Sequence, residues 1–97
     1  MNFEWDPGKN AANIAKHGLD FADAEALFGG DLYKRNDTRK DYGEERWQGI
    51  GELNCRVVVI VWTDRPPDSR RIISLRRANE REREIYRKVI ENRLVEG

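Results

Sequence analysis

At 97 residues the chain has room for one domain and not for two. Apolar residues make up 38% of it, enough for a core, and the 37% that are charged fall in periodic segments and not in blocks, which excludes a disordered tail. The formal net charge is zero, which excludes a generally basic nucleic-acid coat, so any contact with RNA or DNA has to use a local patch.

In chain order, Phe3-Glu4-Trp5 alternates apolar, polar, apolar and predicts a very short edge strand. Asp6-Pro7 is a helix start, since Asp accepts from free N–H groups and Pro fits the first turn. The helix should end near His17, with Gly18 just past it and a narrow stripe of Ala11, Ile14 and Ala15. Asp20 then caps a second short helix over 21–28, and Gly29-Gly30 stops it. Four strands follow, at about 31–36, 44–52, 56–63 and 70–77. The turns between them are Asp41-Tyr42-Gly43, a two-residue link at Leu53-Asn54, and a loop from Asp64 to Ser69 with two prolines. The unbroken run Val57 to Trp62 suggests a central strand covered on both faces. Cys55, at its head and without a second cysteine or zinc spacing, reads as a small core filler.

The last strand, Arg70 to Arg77, has an Ile-Ile-Ser-Leu centre between pairs of arginines. Simple alternation puts Arg71, Ile73, Leu75 and Arg77 on one face, and Arg70, Ile72, Ser74 and Arg76 on the other. Asn79 opens a final helix, with Glu82 three residues on as in a capping box. Its stripe is Ile85, Tyr86, Val89, Ile90 and Leu94, and Glu84 and Lys88 are spaced for an ion pair. The expectation is a single α+β domain over 1–97: a short N-terminal strand and two short helices, a four-stranded antiparallel sheet, and a C-terminal helix. Glu4, Asp6 and Lys9 interrupt any signal-peptide run, and no stretch approaches the roughly 20 apolar residues of a membrane span, so a cytoplasmic protein with no membrane partner is expected.

The patch that net neutrality demands is Arg65, Arg70, Arg71, Arg76 and Arg77, which share a short region with one acid, Asp68. Guanidinium is permanently charged and its fork fits phosphate or carboxylate. Metal-free RNA cleavage needs a base for the 2′-hydroxyl, cations for the phosphate, and an acid for the 5′-oxygen. Arg46 and Arg76 are the first candidates for the phosphate, on adjacent regions of one sheet face, with Arg71 or Arg65 at the rim and Arg77 and Ser74 as further substrate contacts. For proton transfer there is the single histidine, His17, and Lys16 if its pKa is lowered. Glu82 and Tyr86, one helical turn apart and close to the arginine strand, are candidates for the same pocket. Each has a plainer role as well: His17 as a helix-end packing residue, Glu82 as a capping acid, Tyr86 as a core ring, Arg71 and Arg77 as solvated strand ends. Trp5, Trp47 and Trp62 could stack a base; core packing is the stronger reading for Trp62, and Trp47 should face away from Arg46.

The chain resembles the BrnT family over nearly its whole length. The resemblance is carried by Phe3-Glu4-Trp5-Asp6-Pro7, then Lys9, Asn13 and Lys16-His17-Gly18 with Phe21 and Ala24. It continues in Arg46 four residues before Ile50-Gly51, the Val-rich strand ending at Thr63, Arg71-Ile72-Ile73-Ser74 with Arg76 and Ala78, and Glu82-Arg83 with Tyr86. Leu75, Arg77 and the two prolines after Arg65 depart from its usual pattern without removing a candidate group. The resemblance implies a RelE-like fold and a ribonuclease toxin of a type II toxin–antitoxin pair, with no cofactor or metal. Its substrate would be RNA and its partner a BrnA-like antitoxin, in a complex such as a heterotetramer that reaches operator DNA only through the antitoxin. A different class of function remains open beside it: a non-catalytic module whose arginine-rich face holds an acidic protein partner. Direct DNA binding is the weakest of the three, since no helix carries a basic recognition face.

Overall fold

A computed structural model describes residues 1–39 and 41–96, with side chains described as far as residue 93. The elements are β1 (Asn2–Glu4), α1 (Pro7–His17), a single 3₁₀ turn (Phe21–Asp23) running into α2 (Ala24–Phe28), β2 (Tyr33–Asn36), β3 (Trp47–Leu53), β4 (Arg56–Arg65), β5 (Ser69–Arg77) and α3 (Glu80–Glu96). The α+β class is as expected. The sheet, however, has five strands in the order β1-β5-β4-β3-β2, because the N-terminal strand joins it, parallel to β5, while the other pairs are antiparallel. No helix among the described residues is long and apolar enough to cross a membrane.

The helix ends follow their sequence signals. Asp6 Oδ1 accepts from the amides of Gly8 and Lys9, and Gly18 closes α1 at φ 68°. Asn79 Oδ1 accepts from the Glu82 amide while Glu82 Oε1 accepts from the Asn79 amide, so the capping box forms in both directions. The Glu84–Lys88 pair does not form; Arg87 reaches both Glu84 and Glu91 instead. Leu94 of the expected stripe lies outside the described side chains.

Two clusters fill the two sides of the sheet. Val58, Ile60, Trp62, Ile72 and Leu75 meet Phe21, Ala24 and Leu27 on one face, and Ile50 and Val59 meet Ala78 and Tyr86 of the α3 side on the other. Gly49 and Gly51 belong to the first face, where a Cβ on Gly49 would stand 2.9 Å from both Leu32 and Trp62, so the sheet there admits only glycine without movement. The Val57–Trp62 run is thus covered on both sides, as its composition requires. The hairpin tip is Asn54-Cys55, not Leu53-Asn54: both residues have positive φ, 52° and 64°, and Leu53 pairs with Arg56. That turn carries Cys55 out of the core, and its side chain is exposed.

The alternation expected of the arginine strand fails at one point. Val61 pairs with Ser74 and Trp62 with Ile72, leaving Ile73 as the extra residue of a β-bulge. Ile72 and Leu75 therefore both reach the first core, three residues apart. Arg71, Ser74 and Arg76, opposite Thr63, Val61 and Val59, share the α3 face, and Arg70 and Arg77 go to the other.

α1 lies along β5 where β1 no longer covers it. Asn13, 8% exposed, donates from Nδ2 to the Leu75 carbonyl at 2.8 Å and accepts at Oδ1 from the Leu75 amide, doing for that edge what a neighbouring strand would do.

Candidate functional site

The ladders place side chains of the α3 face in rows. Tyr33, Ile50, Val59 and Arg76 form one; Arg35, Gln48, Val61 and Ser74 form the next; beyond them lie Thr63 and Arg71, near the link between the Asp37 amide and the Arg46 carbonyl. α3 leaves β5 at Ala78 and crosses to the start of β2, where Tyr86 Oη donates to the Asp31 carbonyl and Arg93 reaches the Leu32 carbonyl. It covers the first row and leaves the second beside its N-terminus. There a recess of about 340 Å³ opens, lined by Arg35, Asn36, Asp37, Thr38, Arg39, Gln48, Arg76 and Glu82.

Its charges are arranged in pairs. Arg76 grips Glu82 with two nitrogens, at 2.7 and 2.8 Å. That guanidinium holds the Glu82 carboxyl below the usual carboxylate range; the Asn79 amide and the positive charge of Arg35 push the same way against burial. Arg39 grips Asp37 in the same two-pronged manner, both bonds 2.8 Å, and the Asp37 side chain is 1% exposed. Asp37 is likewise held low, first by Arg39, and Arg39 is raised in turn. Arg35 donates from Nε to the neutral Gln48 Oε1 at 2.7 Å and forms no ion pair among the described residues. Three guanidiniums against two carboxylates leave the recess cationic although the chain as a whole is neutral.

The anticipated residues distribute around this recess. Arg76 and Glu82 form its wall, and Ser74 lies on the same face in the next row. Arg46 sits beside it: its guanidinium stacks 3.9 Å above the Tyr42 ring, bonds Glu44, and contributes to holding Asp37 ionised. Glu44 links Arg46 to Arg65, which also reaches Glu4, so Arg46 and Arg65 belong to one surface network. Arg71 takes the α3 face further along β5, whereas Arg77 lies on the opposite face. Trp62 is fully buried against Phe28, and Trp47 lies on the face away from Arg46 with Lys34 over its ring.

Lys16 and His17 end α1, one turn beyond Asn13 and so beside the open edge of β5; no hydrogen bond or ion pair among the described residues joins them to Arg76 or Glu82. Glu82 and Tyr86, expected to share a pocket, do not. Tyr86 packs its ring in the second core, bonds Asp31, and borders a separate depression with Glu52, Val57, Arg83, Arg87 and Ile90. Burial pushes its hydroxyl upward, with Glu52 and Asp31 adding to the shift. Arg35, Gln48, Asp37 and Arg39 are functional candidates that the order of residues alone does not single out. Alternation of Tyr33 and Arg35 along β2 was the available signal, but only the pairing with β3 sets Arg35 beside Gln48. Among the described residues no group of three or more His, Cys, Asp or Glu side chains converges as a metal site would.

Comparison with known proteins gives this site its context. The family described as "Ribonuclease toxin, BrnT, of type II toxin-antitoxin system" matches residues 5–82, a span that includes Arg35, Arg46, Arg76 and Glu82 and stops short of Tyr86. The 1.1 Å crystal structure of the Brucella abortus ribonuclease toxin BrnT is similar at 32% sequence identity and a TM-score of 0.63, covering 82% of this chain and 99% of that one. No curated protein sequence matches. With most of its length matched by the family and the same fold in a solved relative, the chain belongs to the BrnT family of ribonuclease toxins of type II toxin–antitoxin systems.

Proposed function

We propose that this chain is an endoribonuclease that needs no metal and cuts RNA by turning the RNA's own 2′-hydroxyl on the neighbouring phosphodiester. The 2′-oxygen forms a bond to phosphorus as the P–O5′ bond breaks, leaving a 2′,3′-cyclic phosphate and a free 5′-hydroxyl. One proton leaves the 2′-hydroxyl and one is delivered to the departing 5′-oxygen. The observation that carries this reading is the Arg76–Glu82 pair on the wall of a net-cationic recess on an uncovered part of the sheet.

In this scheme Arg76 stabilises the charge growing on the phosphate, with Arg46 beside it and Ser74, Arg71 and Arg65 along the strand's path. Arg77 contacts the RNA only where it passes to the other side of β5. Glu82 orients Arg76: held ionised by that arginine, it is too weak a base to be the first choice for the 2′-proton. Lys16 and His17, beside the open edge of β5, are the groups for proton transfer on an RNA that crosses this edge. Tyr86 supports the helix that carries Glu82. The family membership supports an antitoxin partner, which we take to be BrnA-like, binding in a heterotetramer that contacts operator DNA through the antitoxin alone and relieves inhibition of growth. A cytoplasmic location follows from a substrate of cellular RNA.

The test uses protein freed of antitoxin, mixed with RNA in excess EDTA. Cleavage should persist, yield fragments ending in a 2′,3′-cyclic phosphate by mass spectrometry, and fall by at least about a hundredfold in Arg76→Ala. RNA left uncut by the wild type, with antitoxin binding intact, would replace the enzyme by a module that holds an acidic partner.

A further inference from the structure

Three guanidiniums line the recess, and their partners differ. Arg76 is engaged by Glu82 through two nitrogens, and Arg39 by Asp37 in the same way. A phosphate approaching either must compete with a carboxylate already in place. Arg35 is different. Its single side-chain bond is from Nε to the uncharged amide oxygen of Gln48, at 2.7 Å, and its two terminal nitrogens have no partner among the described residues. It is half-buried, while Gln48 is 5% exposed and so fixed in place by packing. Their strands run side by side, Arg35 directly opposite Gln48, so the hydrogen bond holds the fork at a set angle over the recess.

From this geometry we infer that Arg35 is a substrate-binding residue, the group that first takes an RNA phosphate in the recess, and that Gln48 is its positioning residue. The inference rests on the reading that RNA lies in this recess. A neutral acceptor is what such a role requires. It fixes the guanidinium without cancelling its charge, whereas a carboxylate at position 48 would spend that charge within the protein. Arg35 then supplies the net positive charge that Arg76 and Arg39 do not, and Arg76 can pass from Glu82 to the phosphate once it has arrived. Glu82 is not stranded by that exchange, since the Asn79 amide still donates to it.

The probe is an eight-nucleotide single-stranded RNA, 2′-O-methylated throughout so that it cannot be cleaved, titrated against the full chain over a range of salt. Arg35→Gln should raise Kd on the order of tenfold and reduce the slope of log K against log salt by about 0.7, the share of one phosphate contact on a single strand. Arg35→Lys should keep the slope and weaken binding less. Gln48→Met, which retains bulk and removes the acceptor, should weaken binding several-fold with the slope unchanged, a split that a merely structural residue would not produce. Arg56→Gln, at the tip of the β3–β4 hairpin, should leave both quantities unchanged. Equal binding by wild type and Arg35→Gln, an equal loss in Arg56→Gln, or no binding by the wild type overturns the assignment. Normal binding of this probe together with failure to cut an all-ribose RNA removes the nuclease and leaves Arg35 in its role. Matching thermal midpoints for Arg35→Lys and wild type separate these outcomes from misfolding.

Discussion

Glu82 shows how one side chain serves a helix end and the wall of the recess together. It closes the capping box of α3 and clamps Arg76, so its ionisation is tied to folding. Its pKa is depressed in the folded chain. The stabilisation is therefore present above the ordinary value of 4.5 and disappears as pH falls through the lower folded value. Glu82→Gln keeps an acceptor for the Asn79 amide but loses the ionic clamp. It should destabilise the protein by roughly 2 kcal/mol at pH 7. In urea titrations the gap between variant and wild type should narrow below pH 4.5, as the wild-type carboxyl takes up its proton. A gap that stays constant down to pH 2 would mean that Arg76 contributes nothing to the folded state through this carboxylate.

At the scale of the element, Asn13 does work usually left to a strand. Asn13→Ala exposes the Leu75 amide and carbonyl without a partner, a loss of about 2 to 4 kcal/mol that a thermal midpoint would register, together with faster hydrogen exchange at the Leu75 amide. Elements with strong local signals were legible in the sequence: the Asp6-Pro7 start and Gly18 end of α1, the Asn79–Glu82 box, and the doubly covered Val57–Trp62 strand. What failed to show were features decided by partners far along the chain. The three residues of β1 could be read as an edge strand, but not that their neighbour would be β5. Cys55 looked apolar from its neighbours in sequence, and only the two positive-φ residues of the turn send it outward. Arg46, Arg76 and Glu82 could be picked as chemistry-bearing, because charged side chains beside strands or caps stand out locally. Arg35 could not, since the long connection between β2 and β3 leaves their register open to any reading of residues in order.

For the whole molecule, neutrality conceals asymmetry. Asp6, Asp20, Asp37 and Glu82 are all held below their ordinary values, by capped amides in the first two and by arginines in the last two. All four shifts have the same sign, so stability should be level near neutrality and decline as pH falls below 4.5 and then below 3.8, the ordinary values for Glu and Asp. Urea midpoints measured from pH 7 to pH 2.5 would check this, and a midpoint that rises on acidification would contradict it. In the recess itself acidification removes negative charge only: the guanidiniums keep theirs, and protonating Glu82 loosens its hold on Arg76.

The unpaired Ile73 works as a phase shifter for the strand that bears it. Residues on either side of it are read against β4 with opposite parity, which is how Arg71 and Arg76, five residues apart, come to one face while Ile72 and Leu75 go into one core. Closing the ladder with Ile73 against Trp62 would turn Ile72 to the recess side and Arg71 to the apolar interior, whereas deleting Ile73 leaves Ile72 opposite Trp62 and Arg71 opposite Thr63. The deletion chain should therefore still unfold cooperatively in a denaturant titration, and Ile73→Val, which preserves the bulge, should melt close to the wild type; a broad, non-cooperative transition of the deletion chain would contradict this register.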